Sequence, residues 1–151
     1  MAQLQVACDF DKLMASYAAA LDDRRYDDWL KLFALEGSYK LQPRENFDRS
    51  LPLCTMDLES LGMLKDRVYS IENTLFHAPY YQRHVLSPAL VLSATRAQIN
   101  YVVFRTRANE RSEVFNVGRY IVEVDAKSEL ITKLHAIFDS EMIANSIIYP
   151  I

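Results

Sequence analysis

The side chains in this 151-residue sequence with chemistry to offer are three histidines, two cysteines and a set of tyrosines and aspartates. His77 and His84 stand seven apart around Pro79, and His135 is remote from both. A facial triad needs two histidines and a carboxylate. None falls at close spacing here, which leaves Asp139 as a carboxylate that only folding would bring near. A Rieske cluster needs C-x-H and C-x-x-H pairs, and neither Cys8 nor Cys54 has a histidine within three residues. The same two cysteines make no C-x-x-C, so a zinc site of the usual kind is excluded. Neither cysteine has a neighbouring base to activate it as a nucleophile. Acid–base chemistry remains: His84 with Asp28, Tyr26 or Tyr39 would serve a dehydratase or isomerase. Its structural counterpart is a hydrogen-bonded histidine at a strand start, core tyrosines, and an aspartate placed where a helix N-terminus favours negative charge.

Those residues depend on elements that the hydrophobic pattern announces. Phe10, Leu13, Met14, Tyr17, Ala18 and Leu21 form one helical face, with Asp9 as N-cap and Asp22–Asp23 at the exit. A second short helix in YDDWLKLFALEG carries Trp29, Leu30 and Phe33, with Gly37 expected in a left-handed C-terminal position. Ser38–Gln42 alternates as a strand stopped by Pro43. Residues 43–56 read as a long loop of functional or interfacial kind. A third helix is expected from Asp57 to Ile71, with Asp57 and Ser60 as capping candidates. HAPYYQRH reads as an aromatic connector. VLSPALVLSAT, AQINYVVFRTRA, EVFNVGRYIVEVDA and LITKLHAIFDS read as strands with short turns between them, hence an antiparallel meander. Helices followed by a curved sheet predict an α+β fold with the helices on one sheet face. The apolar ending EMIANSIIYPI is expected to be buried, in the sheet mouth or against another subunit.

Composition bounds the rest. The length suits one domain, residues 1–151, and 50% hydrophobic with 25% charged residues is an ordinary globular mixture rather than a disordered one. A net charge of −3 gives no basic patch for nucleic acid. Three scattered glycines, Gly37, Gly62 and Gly118, exclude a glycine-rich phosphate loop. With no signal-like start and no membrane-length apolar run, the expectation is a soluble cytoplasmic protein with reduced thiols, touching neither nucleic acid nor membrane. Tyr80, Tyr81, Arg83, Arg44 and Arg49 in the connector and loop are of the types that protein interfaces favour.

In order along the chain, LDDRRYDDWLKLFALEGSYKL, PRENFDR, MLKDRV, YYQRHVLS, FRTR, EVFNVGRY and FDS resemble the small, or β, subunit of aromatic-ring-hydroxylating oxygenases. The resemblance implies the cystatin-like α+β roll, similar to nuclear transport factor 2, scytalone dehydratase and ketosteroid isomerase. It implies a subunit without a cofactor of its own. The Rieske 2Fe–2S cluster and mononuclear iron would sit on a large α subunit, and NAD(P)H would act through a separate ferredoxin and reductase. The β subunits would form a homotrimer at the base of a hexamer of three α and three β subunits. PRENFDRSLPLC, FHAPYYQRH and NSIIYPI are most similar to small subunits of enzymes acting on aromatic carboxylates: salicylate 5-hydroxylase first, then anthranilate and terephthalate dioxygenases. The sequence departs from the family in having little N-terminal extension.

Carried over by motif, Trp29 and Tyr39 would pack the core. Arg67 beside Asp66, the pair Arg83 and His84, and Asp139 would hold loops at subunit contacts, with Arg44, Tyr80 and Tyr81 at the same surfaces. The resulting expectation is a non-catalytic structural subunit that scaffolds iron-bearing partners. The alternative is a stand-alone isomerase or dehydratase of the same fold, using His84 with Asp28 or Tyr39. A ligand-binding module without chemistry is a third reading.

Overall fold

The computed structural model of the chain describes residues 7–142 and 147–151. Helix α1 (Phe10–Asp22) buries Phe10, Met14, Tyr17 and Leu21, and the Asp9 carboxylate caps it by accepting the Lys12 N–H at 3.1 Å. Helix α2 (Tyr26–Leu30) is little more than one turn and buries Tyr26 and Trp29. Strand β1 (Phe33–Pro43) runs directly into helix α3 (Arg44–Asp48). Strand β2 (Met56–Leu58) and helix α4 (Leu61–Asn73) follow. The remaining elements are β3 (Tyr81–Leu86), β4 (Leu90–Ser93), β5 (Arg96–Thr106), β6 (Glu113–Val124) and β7 (Ile131–Phe138).

Several elements differ from their sequence reading, each for a local reason. Gly37 does not end a helix: it lies inside β1, where the register against β7 breaks between Phe33 and Ser38. A Cβ there would approach the Ile131 carbonyl oxygen to 2.7 Å, so the glycine serves close passage of two strands. Residues 43–56 are not a plain loop. Pro43, which has no N–H to leave unsatisfied, leads into α3, and Met56 already pairs with Leu41. Asp57 belongs to β2, and Ser60 is the cap of α4, its hydroxyl accepting the Met63 N–H at 3.3 Å. The stretch VLSPALVLSAT is divided between β3 and β4, with Pro88 between them unable to donate a ladder bond. Half of HAPYYQRH is strand, because β3 begins at Tyr81.

The sheet order is β2-β1-β7-β6-β5-β3, with β4 also on β5. Strands β5, β6 and β7 form the antiparallel meander, but β1 lies parallel to β7, pairing Tyr39 with Leu134 and Leu41 with Ala136. The sheet is therefore mixed; it curves without closing. α1 packs against β3 and α4 against β1. Inside, Trp29, Tyr17, Tyr39, Tyr101 and Tyr120 are all fully buried. Tyr101 stacks on Tyr120 at 4.3 Å, while Tyr17 meets Tyr120 edge-on at 5.7 Å and Trp29 meets Tyr39 at 6.0 Å. Such pairs add roughly 0.5–1.5 kcal/mol each beyond the area they bury.

Candidate functional site

Two places gather polar side chains in the interior. The first lies between α1 and β3. Alternation along β3 sends Gln82 and His84 inward and Tyr81 and Arg83 outward. His84 Nδ1 comes within 2.5 Å of Asp22 Oδ1, and the same carboxylate accepts the His84 backbone N–H at 3.0 Å. A carboxylate has no proton to give here, so Nδ1 carries it. The His84 side chain is fully enclosed and that of Asp22 is 6% exposed. Nε2 is buried, with no hydrogen-bond partner among the described residues. The partner of His84 is thus Asp22, which the sequence presented only as a helix-exit acid. Asp28 is elsewhere, on the surface, where Arg25 at 2.7 Å and Lys31 at 3.2 Å hold its carboxyl below the usual range. An imidazole oriented by a carboxylate is the geometry of a general base, but the imidazole itself is enclosed and the carboxylate almost so. Asp22→Asn keeps the shape and removes the charge. It is expected to cost about 1–3 kcal/mol in urea unfolding, the range for a buried hydrogen bond to a charged group; an unchanged midpoint would mean the pair contributes nothing.

The second place is the mouth of the roll, filled by residues 147–151. Ile147, Tyr149, Pro150 and Ile151 are buried. Arg67, on α4, donates from Nη2 to the Ile148 carbonyl at 2.7 Å and to the Ile147 carbonyl at 3.1 Å. Gln82 donates to the Pro150 carbonyl at 3.1 Å. The hydroxyls of Tyr17 and Tyr39 donate to the Ile151 carbonyl at 2.6 and 3.2 Å, and Tyr39 also accepts the Ile151 N–H at 2.8 Å. His77 Nδ1 faces the Leu75 carbonyl at 3.2 Å and so bears the proton, leaving Nε2 to accept the Tyr149 hydroxyl at 2.7 Å. Burial lowers the Arg67 pKa and raises those of Tyr17 and Tyr39. Of the ending EMIANSIIYPI, residues 147–151 thus fill the sheet mouth of their own chain, one of the two locations expected, while Met142 is exposed and residues 143–146 lie outside the described residues. Arg67 thus bonds backbone carbonyls of this segment of its own chain.

Of the other residues singled out by sequence, Tyr80 and Arg83 border these two places, and Arg44, Tyr81 and Asp139 lie on the surface. Tyr80 is buried, tilted against Tyr149 at 4.6 Å, whereas Tyr81 is exposed. Arg83 is exposed and 4.0 Å from Asp22. Arg44 and Asp139 pair at 3.4 Å, both half-exposed, at one end of a groove of about 540 Å³ on the outer sheet face between Val85, Asn100 and Arg119. A residue with no individual signal beyond its FRTR motif is Arg105. It is buried, bonded to Glu113 and stacked over Phe115 at 4.4 Å. Histidine rings are dispersed: His77 on Tyr149, His84 on Asp22, His135 on Gln42 at 2.8 Å. Among the described residues no three of His, Cys, Asp and Glu converge as metal ligands.

The chain is similar to known proteins in sequence and in fold. A family model described as ring hydroxylating beta subunit matches residues 17–145. The anthranilate 1,2-dioxygenase small subunit of Burkholderia cepacia is 31% identical over 112 residues, 72% of this chain and 70% of that one. A structure assigned as the β subunit of an aromatic-ring-hydroxylating dioxygenase from Novosphingobium aromaticivorans DSM 12444 superposes with a TM-score of 0.83 at 30% identity, covering 94% of each chain. The β subunit of benzoate 1,2-dioxygenase from Burkholderia mallei matches at 0.66 and 13% identity, covering 92% of this chain and 95% of the other; at that identity the likeness concerns the fold.

Proposed function

The chain belongs to the family of ring-hydroxylating β subunits, and from that premise we propose that it is the non-catalytic scaffold of a terminal oxygenase. The family match across residues 17–145 carries this reading. In it the chain trimerises and seats three large α subunits, which hold the Rieske cluster and mononuclear iron and receive electrons from NAD(P)H through a ferredoxin and reductase. The complex works in the cytoplasm; among the described residues no helix is long and apolar enough to cross a membrane. Among the described residues the three histidines are engaged separately, on Tyr149, Asp22 and Gln42, which supports a reading in which the iron chemistry belongs to the partner. The sheet's outer edge supports assembly, because Val85, Leu90, Val91 and Leu92 expose about half of their surface.

The substrate proposed is an aromatic carboxylate, salicylate before anthranilate or terephthalate. Its support is the 31% identity to a small subunit of an anthranilate-oxidising enzyme. The test is co-expression with the large subunit, followed by native mass spectrometry and turnover of salicylate, anthranilate and naphthalene with reductase present. A hexamer that hydroxylates the acids is expected. Stoichiometric iron in the isolated small subunit, or turnover of naphthalene alone, would overturn the respective halves. Arg83→Glu places a negative charge on the exposed face of β3 and is expected to lower the hexamer fraction several-fold while leaving the melting temperature within about 2 °C. Unchanged hexamer mass would remove Arg83 from the contact.

A further inference from the structure

The mouth of the roll holds its contents in an unusual way for a chain segment. Residues 147–151 belong to no strand or helix. Every hydrogen bond given above for their backbone comes from a side chain: Arg67 to Ile147 and Ile148, Gln82 to Pro150, Tyr17 and Tyr39 to Ile151. Those four side chains stand on α4, β3, α1 and β1, elements that pair and pack with one another independently of the segment. Pro150 enters without an N–H to leave unpaired. The segment's own side chains act as anchors: Tyr149 lies against Tyr80 at 4.6 Å and His77 at 5.1 Å, under the Arg24 guanidinium at 5.4 Å, and Ile151 is fully buried. Main-chain grip from fixed donors, plus pockets for particular side chains, is how proteins recognise short extended peptides.

We propose that the mouth is a peptide-binding site in its own right, and that residues 147–151 are its separable ligand, a short segment of the pattern apolar–apolar–aromatic–Pro–aliphatic. The ligand engages donors that persist in its absence, so it can leave and return without dismantling the sheet. This goes beyond the scaffold reading and does not depend on it.

The test uses the full chain with a protease recognition sequence inserted between Met142 and Ile147, folded first and then cut. The probe is a fluorescently labelled peptide Ile-Ile-Tyr-Pro-Ile, followed by anisotropy and by Trp29 emission. The cut chain is expected to stay folded and to exchange its segment for the probe saturably. The uncut chain should bind the probe at least about 100-fold more weakly, because its tethered copy competes at an effective concentration in the millimolar range. In the cut chain Arg67→Ala should weaken the probe about tenfold or more, and a peptide of reversed sequence should not bind. A cut, folded chain that takes up no probe after its own segment is dialysed away would overturn the proposal. Equal binding by cut and uncut chains would do so too, since the probe would then sit elsewhere. If cutting unfolds the chain, added peptide must restore the native circular dichroism; failure to do so counts against the proposal equally.

Discussion

Raised above pH 10, the protein is expected to unfold abruptly, and more steeply than its size alone would suggest. Tyr17, Tyr39, Tyr101 and Tyr120 are fully buried, and loss of solvation pushes all four phenols above their ordinary value, with Tyr17, Tyr101 and Tyr120 shifted furthest. The unfolded chain sheds these protons near pH 10 while the folded chain keeps them. Stability is therefore complete below about pH 10 and falls as pH rises beyond it, by up to about 1.4 kcal/mol per pH unit for each phenol, or about 5.5 for the four. Against a typical total of about 5–15 kcal/mol, the fold should be lost between about pH 11 and 13. Circular dichroism and Trp29 emission should change together, along with a second rise in phenolate absorbance beyond the one that exposed tyrosines such as Tyr69 and Tyr81 give. Tyr120→Phe is the informative variant, because its hydroxyl has no hydrogen-bond partner among the described residues. Removing that hydroxyl should leave neutral-pH stability nearly unchanged and move the alkaline midpoint up by about 0.3–1 pH unit. Phenolate absorbance that reaches the level of all nine tyrosines before the fold is lost would show that these rings are open to hydroxide.

Gly118→Ala is expected to abolish soluble protein. Gly118 lies in β6 opposite Phe138 of β7, and a Cβ built there would stand 2.0 Å from the Ile137 carbonyl oxygen and 2.8 Å from the Phe138 Cα. Both are backbone atoms, so no side-chain rotation relieves the clash. β7 would have to move, and it is the strand that joins the meander to β1. The cost should exceed about 4 kcal/mol, a range reached only when backbone or core is displaced. Gly62→Ala is the internal control: its added methyl would meet nothing nearer than Ser60 Oγ at 3.6 Å, in a helix, and should stabilise by about 0.5 kcal/mol. Soluble yield and melting temperature of the two variants separate the cases. A folded Gly118→Ala protein with unchanged melting temperature would mean that β6 and β7 pair less closely than described.

The parts of the fold legible in the sequence are those fixed by near neighbours. The face of α1 and its Asp9 cap follow from 3.6-residue spacing, and β5, β6 and β7 follow from alternation and short turns. The roll of the nuclear transport factor 2 type emerged from helices preceding strands and from the family resemblance. What stayed hidden depends on residues far away in sequence. Nothing local distinguishes a Gly37 that ends a helix from one that lets β1 pass Ile131. Nothing marks Asp22 rather than Asp28 as the partner of His84, since both are acids at helix ends and only the packing of α1 on β3 selects one. Arg67 is marked only by the family's Asp-Arg motif; its targets are carbonyls about 80 positions later, which no spacing rule reaches.

The parallel pairing of β1 with β7 has a consequence for the order in which the molecule can be built. Leu41 waits for Ala136, while among the described residues the only strand paired with β1 that is made sooner is the three-residue β2. At a synthesis rate of about 5–20 residues per second, β1 spends roughly 5–20 s with one edge unpaired before its partner has been made. Contacts of such separation slow folding, and a free edge of this kind pairs readily with strands of other chains. Recovery on refolding should therefore fall as protein concentration rises, with aggregation beginning from β1 rather than from the meander.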